Sequence, residues 1–130
     1  MPGDWYASLA KPAWTPPTWV FGPAWTILYA MMAVAAWRLW RRLGARPRES
    51  RRALTLFAVQ LALNLSWTPV FFGMQRPDLA LVVILFLWVA IAATIVAAWK
   101  ACKTAAALLV PYLAWVTFAT ALNAAIWRLN

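Results

Sequence analysis

The chain has 130 residues, 65% of them hydrophobic and 12% charged, with a mean hydropathy of +0.69, a net charge of +9, 11 tryptophans and no histidine. Ordinary soluble domains carry about 45–50% apolar and about 25% charged residues, so this composition excludes a water-soluble globular domain and points to an integral membrane protein. The basic residues collect in connecting segments, which argues for membrane orientation and against a nucleic-acid surface.

At the N-terminus, Met1-Pro2-Gly3-Asp4 lacks a basic stretch followed by an apolar core, so no cleavable signal peptide is predicted. Next, Trp14, Trp19 and Trp25, interleaved with Pro16, Pro17 and Pro23, stand at the mouth of the first apolar run. An indole has an apolar body and an N–H that wants an acceptor, so this cluster reads as a membrane-interface element.

Four segments are expected to span as helices: Trp19–Trp40, Ala53–Phe72, Leu79–Trp99 and Ala105–Trp127. Each has about 20 residues, enough at about 1.5 Å rise to cross a hydrocarbon core of about 30 Å. None alternates strictly as a barrel strand would, and open sheet edges cannot sit in lipid. The predicted fold is all-α, a polytopic transmembrane helix bundle forming a single domain over residues 1–130. The loops Arg41–Arg52, Gly73–Asp78 and Lys100–Thr104 are too short for a second domain.

In the first span, Phe21, Trp25 and Tyr29 recur every fourth residue and form one aromatic strip. Trp25 lies about 9 Å inside the span, too deep for a simple headgroup anchor, so a pocket wall is expected, with bundle packing as the alternative. Pro23 falls near the helix start, where a missing N–H costs little.

The second span places Gln60, Asn64, Trp67 and Phe71 on one inward face. An amide in hydrocarbon costs several kcal/mol unless paired, so Gln60 and Asn64 need partners in the bundle or in a ligand. Pro69 removes the bond to the Leu65 carbonyl beside them, which predicts a bend.

The third span has no amide or charge, only Thr94 and the indoles of Trp88 and Trp99, and is expected to be a wall. Ala90, Ala92, Ala93, Ala97 and Ala98 would permit close helix contact, including contact with a second subunit in a homodimer. The fourth span, interrupted by Pro111, carries Tyr112, Trp115, Ala119 and Leu122 on one side, with Thr117, Thr120 and Asn123 around it. By depth, Trp25, Asn64, Trp67, Ala119 and Asn123 share the half of the bilayer away from the arginine loop.

Nine of the 12 basic residues, Arg38 to Arg52 together with Lys100 and Lys103, fall at one side, leaving Lys11, Arg76 and Arg128 opposite. The positive-inside tendency makes the Arg41–Arg52 loop cytoplasmic, with both termini on the other face and the loop held by anionic headgroups. Cys102 stands alone, so no intrachain disulfide can form, and a reduced thiol is expected.

The three carboxylates, Asp4, Glu49 and Asp78, lie outside the spans. A Ser-His-Asp triad, a metal centre with the usual ligands and an intramembrane proton carrier all lack their residues. No acid–base pair supports ordinary enzymatic catalysis. A bound tetrapyrrole would find no axial imidazole and would be held by packing and hydrogen bonds, which favours a metal-free porphyrin or another flat lipophilic molecule.

Three ordered blocks carry a resemblance over the whole chain. The first runs from Asp4-Trp5-Tyr6 through Lys11-Pro12-Ala13-Trp14 and Pro16-Pro17-Thr18-Trp19-Val20-Phe21 to Ala24-Trp25-Thr26 and Leu28-Tyr29. The second is Gln60-Leu61-Ala62-Leu63-Asn64 with Trp67-Thr68-Pro69-Val70-Phe71-Phe72-Gly73. The third is Pro111-Tyr112-Leu113-Ala114-Trp115 with Phe118-Ala119-Thr120, Leu122-Asn123 and Trp127-Arg128. In these blocks the chain closely resembles the TspO or translocator protein family, the tryptophan-rich sensory proteins or peripheral-type benzodiazepine receptors.

The resemblance implies a receptor- or sensor-like membrane protein binding porphyrins and related lipophilic ligands in an intramembrane pocket, with a role in their transport or regulation. It maps the pocket to Trp25, Tyr29, Asn64, Trp67, Trp115 and Ala119, and a covering loop to Trp14 and Trp19. It implies no catalytic residue, no metal and no obligatory cofactor, with a protoporphyrin-type tetrapyrrole as ligand, membrane lipids as partners and a bacterial membrane as the expected setting. The family's first of five spans should precede Asp4, so four are expected here. The sterol-recognition pattern of some animal members needs a Tyr where this chain has Ala124, which favours tetrapyrrole over cholesterol. Two other functions fit the same residues: light- and oxygen-dependent porphyrin degradation using Trp115 or Trp25, and a structural membrane subunit without a small ligand.

Overall fold

The computed structural model describes residues 7–130, apart from the side chain of Thr18. The reading of Met1–Asp4 and the Asp4-Trp5-Tyr6 motif lie outside the described residues.

A 3-10 turn, Thr18–Val20, leads into helix α1, Phe21–Arg41. Helix α2, Pro47–Thr68, continues into a π-helical turn, Pro69–Gly73; α3 is Pro77–Ala101 and α4 is Lys103–Leu129. No strand occurs among the described residues. Two boundaries follow from proline chemistry. A proline pushes the residue before it out of the helical region, and Arg46 (φ −136°, ψ 68°) before Pro47 and Arg76 (φ −119°, ψ 81°) before Pro77 sit there. Helix α2 therefore begins before the apolar span at Ala53, and Arg48, Arg51 and Arg52 ride on its exposed first turns. A single extended residue, Cys102, separates α3 from α4.

By length and composition, three helices suit a membrane crossing: α2 with its π turn, α3 and α4. The first helix is long enough at 21 residues, but Gly22, Pro23, Trp25 and Tyr29 at one end and Arg38 and Arg41 at the other dilute its apolar character. It is thus the least lipophilic of the four expected spans.

Helix α3 packs along both α2 and α4, while α1 leans on α4 and meets α2 more lightly. Leu28, Met32, Ala35 and Leu39 line the buried side of α1 at helical spacing. Opposite them lie Ile84, Leu87 and Ile91 of α3 and Leu109, Tyr112 and Val116 of α4. Ala53, Ala98 and Ala105 are fully buried and let the backbones approach. Ala90, Ala97 and Ala98 are buried in contacts within this chain, whereas Ala92 and Ala93 are half-buried. The outward row of α3, including Val82, Phe86, Val89 and Val96, is exposed for lipid.

Pro69 converts the end of α2 into a wider turn, in which Met74 N–H reaches the Pro69 carbonyl at 2.9 Å. Pro111 stays within a continuous α4. At the end of the bundle away from the arginines, Asn130 grips Ala10 from both sides: its Oδ1 accepts from Ala10 N–H at 3.2 Å and its Nδ2 donates to the Ala10 carbonyl at 2.9 Å. The N-terminal segment and the C-terminus thus share one face.

Candidate ligand-binding site

The aromatic strip of α1, the inward face of α2 and the Trp115 side of α4 converge on a cavity of about 350 Å³. Its walls are Phe21 and Trp25; Trp67, Thr68, Phe71 and Phe72; and Trp115, Ala119, Leu122, Asn123 and Ile126. The rings meet in geometries that their quadrupoles favour. Trp25 and Trp115 stand edge to face with centroids 6.3 Å apart and planes at 87°, and Phe21 turns to Trp115 at 6.0 Å and 71°. Across the cavity, Trp67 stacks on Phe71 at 5.1 Å and 28°. Ala119 offers a methyl amid these rings and leaves the space open.

Tyr29 and Asn64 line a smaller, deeper cavity of about 220 Å³ with Trp25, Trp67, Thr68, Ile84 and Leu87. Trp25, Trp67 and Thr68 belong to both cavities. Of the six pocket residues expected from sequence, Trp25, Trp67, Trp115 and Ala119 therefore wall the larger cavity, and Tyr29 and Asn64 the smaller one behind it.

The polar atoms around these cavities are mostly consumed by one another. Tyr29 Oη donates to Asn64 Oδ1 at 2.6 Å, Asn64 Nδ2 donates to the Tyr112 hydroxyl at 2.7 Å, and Tyr112 donates to Gln60 Oε1 at 2.7 Å. Gln60 Nε2 ends the chain against Met32 Sδ at 3.9 Å. The amides of Gln60 and Asn64 thus find their partners inside the bundle. A second relay fixes the cavity wall: Trp67 Nε1 donates to Asn123 Oδ1 at 3.0 Å and Asn123 Nδ2 to the Pro77 carbonyl at 2.9 Å. Trp115 differs, because its Nε1–H is buried and finds no acceptor among the described residues. Leaving such a donor unpaired costs about 1–3 kcal/mol.

Trp14 does not wall the cavity; its ring stands edge-on to Phe118 at 5.5 Å, and Phe118 in turn lies against Trp115 at 5.7 Å. Trp19 is 74% exposed and turned outward. Sequence reasoning did not assign Phe72, Thr68 or Ile126 to the site. On a regular helix Phe72 falls about 100° from Phe71, off the inward face; the π turn brings both toward Trp67, with Phe72 edge-on at 6.1 Å. Pro69 was the visible signal. Tyr112, read from sequence only as part of a face, is the junction of the polar chain.

The TspO/MBR family model matches residues 1–128 of the chain. Among curated relatives, the tryptophan-rich sensory protein of Cereibacter sphaeroides is 48% identical over 99% of this chain and 78% of its own length. The human translocator protein is 46% identical over 97% of this chain and 75% of its own length. The tryptophan-rich protein TspO of Chlorobaculum tepidum is 47% identical over 99% of this chain and 82% of its own length. With its helical membrane bundle and these matches along its length, the chain belongs to the TspO/MBR family.

Proposed function

We propose that the chain binds a flat, lipophilic, partly anionic tetrapyrrole of the protoporphyrin type between α1, α2 and α4, as a carrier or sensor of that ligand. The observation that carries this reading is the cavity of about 350 Å³ onto which Phe21, Trp25, Trp67, Phe71, Phe72 and Trp115 present their rings. A flat ring system would stack there among Trp25, Trp67 and Phe71. Asn64 lies on the inner cavity with both ends of its amide already bonded to Tyr29 and Tyr112, so ring stacking carries more of the contact than an amide hydrogen bond. At about 350 Å³ the larger cavity falls at the low end of the usual range of about 300–1,000 Å³, so a large ring would extend into the inner cavity or along the groove toward lipid. With no histidine in the chain, an axial imidazole is not available, and metal-free ring systems fit best. The cavity mouth would face away from the cytoplasm, given the nine basic residues at the other pole.

Fluorescence titration of the detergent-purified chain with protoporphyrin, haem and a sterol tests the reading. Saturable binding that is tightest for protoporphyrin is expected; absence of saturable binding would contradict it and leave a structural subunit. Light-dependent loss of bound porphyrin absorbance, abolished by Trp115→Phe while binding persists, would move the reading to photo-oxidative degradation.

A further inference from the structure

The arginine-rich pole of the bundle holds a second pair of clefts, far from the aromatic cavity. One, of about 370 Å³, is lined by Trp37, Arg38, Arg41, Arg42, Ala45 and Cys102. The other, of about 270 Å³, runs from Arg38, Arg42 and Arg46 across to Lys100, Lys103 and Thr104. Arg38, Arg42 and Cys102 belong to both. The cations come from three separate places: the end of α1, the link before α2 and the hairpin between α3 and α4. Neither lining includes a carboxylate, and no ion pair among the described residues involves Arg38, Arg42, Arg46, Lys100 or Lys103. Folding therefore gathers like charges and leaves their neutralisation to something outside the chain.

The field there is visible at Cys102. Burial pushes its thiol up, yet the N–H groups of Ala105 and Thr104 and the Arg42 guanidinium outweigh that, and the thiol is held below its ordinary value. These N–H groups open α4, a 27-residue helix whose positive dipole end adds to the side-chain charges.

The depth of the clefts identifies the source of the anion. Trp37, Trp40 and Trp99 are 50%, 64% and 55% exposed in the same turns. Exposed indoles at helix ends mark the headgroup level of a bilayer. Arg41 sits over the Trp37 ring at 5.0 Å and Lys103 over Trp99 at 5.3 Å, so rings and cations share that level. The phosphate plane of one leaflet thus passes the cleft mouths.

We infer that these two clefts form a phosphate site for an anionic phospholipid, with Arg38, Arg42 and Lys103 holding the headgroup and its acyl chains lying along Trp37 and Trp99. Arg42 suits the task because a guanidinium offers two parallel N–H donors to a phosphate, where an ammonium offers a point charge.

Native mass spectrometry of the purified full chain, offered equal amounts of phosphatidylglycerol and phosphatidylcholine, tests the inference. Phosphatidylglycerol should be retained about tenfold better, and the double variant Arg42→Gln, Lys103→Gln should lose most of that preference. Arg48→Gln, Arg51→Gln removes the same charge outside both clefts and should keep it. Equal loss from the two pairs would show that net charge alone attracts the lipid, and the site would be wrong. Displacement of phosphatidylglycerol by an equal concentration of inorganic phosphate would overturn the lipid as source. If the cleft pair does not fold, Arg38→Gln, exposed near the end of α1, carries the same comparison against Arg48→Gln.

Discussion

The Asn64 side-chain amide donates to the Tyr112 hydroxyl at 2.7 Å, and this bond joins α2 to α4 beside the smaller, inner cavity. Tyr29 bonds the other end of the same amide, so α1 is tied in as well. Helix α1 touches α2 only lightly elsewhere, which makes this polar chain a main connection between them. In hydrocarbon, such a bond contributes about 0.6–2 kcal/mol, and a stranded partner costs more.

Tyr112→Phe removes the junction and strands both Asn64 Nδ2 and Gln60 Oε1. A loss of about 1–3 kcal/mol is expected, read as lower stability in a detergent unfolding titration. Tyr29→Phe strands only one group, Asn64 Oδ1, and should cost less. An equal or smaller effect of Tyr112→Phe would show that the chain is not a connected unit.

The Trp67–Asn123 bond can be isolated by a double-mutant cycle. Trp67→Phe keeps the ring stacked on Phe71 while losing the N–H, and Asn123→Ala removes the acceptor. A coupling energy of about 0.6–2 kcal/mol is expected from unfolding measurements on the single and double variants. Additive effects would deny the coupling.

Ala119→Phe would place a ring in the space between Trp25, Trp67 and Trp115. Porphyrin affinity should fall at least about tenfold, which is about 1.4 kcal/mol, with stability held or raised because a cavity is filled. Unchanged affinity in a porphyrin titration would put the ligand elsewhere.

The orientation rests on charge. Ser50 would be a poor reporter because it is fully buried, whereas Arg48 is exposed on the first turn of α2. Arg48→Cys on a Cys102→Ala background should resist a membrane-impermeant maleimide in intact cells. Rapid labelling would reverse the topology and place the cavity mouth on the cytoplasmic side.

Much of the site was legible because helical spacing is local: Trp25 and Tyr29, and Gln60, Asn64 and Trp67, project from one face by arithmetic alone. Depth then brought α1, α2 and α4 together. The contribution of Phe72 was not legible, since it depends on how many residues close the turn after Pro69. Nor could spacing tell whether the Asn64 amide was spent on Tyr29 and Tyr112 or left for a ligand. The alanines of α3 show the same limit: small residues permit close approach, but only packing shows that Ala97 and Ala98 meet this chain's own helices.

On the proposed function, the tryptophans around Trp115 hold the ligand and those at the arginine pole do not. Fluorescence titration with protoporphyrin tests it directly. Trp25→Ala and Trp115→Ala should each weaken binding by at least about 1 kcal/mol, or roughly fivefold, the lower end for a buried aromatic contact. Trp37→Ala and Trp40→Ala, exposed at the opposite pole, should leave affinity unchanged. Equal losses from all four variants would mean that the tryptophans act through general bundle stability, and the assignment of the cavity would be contradicted.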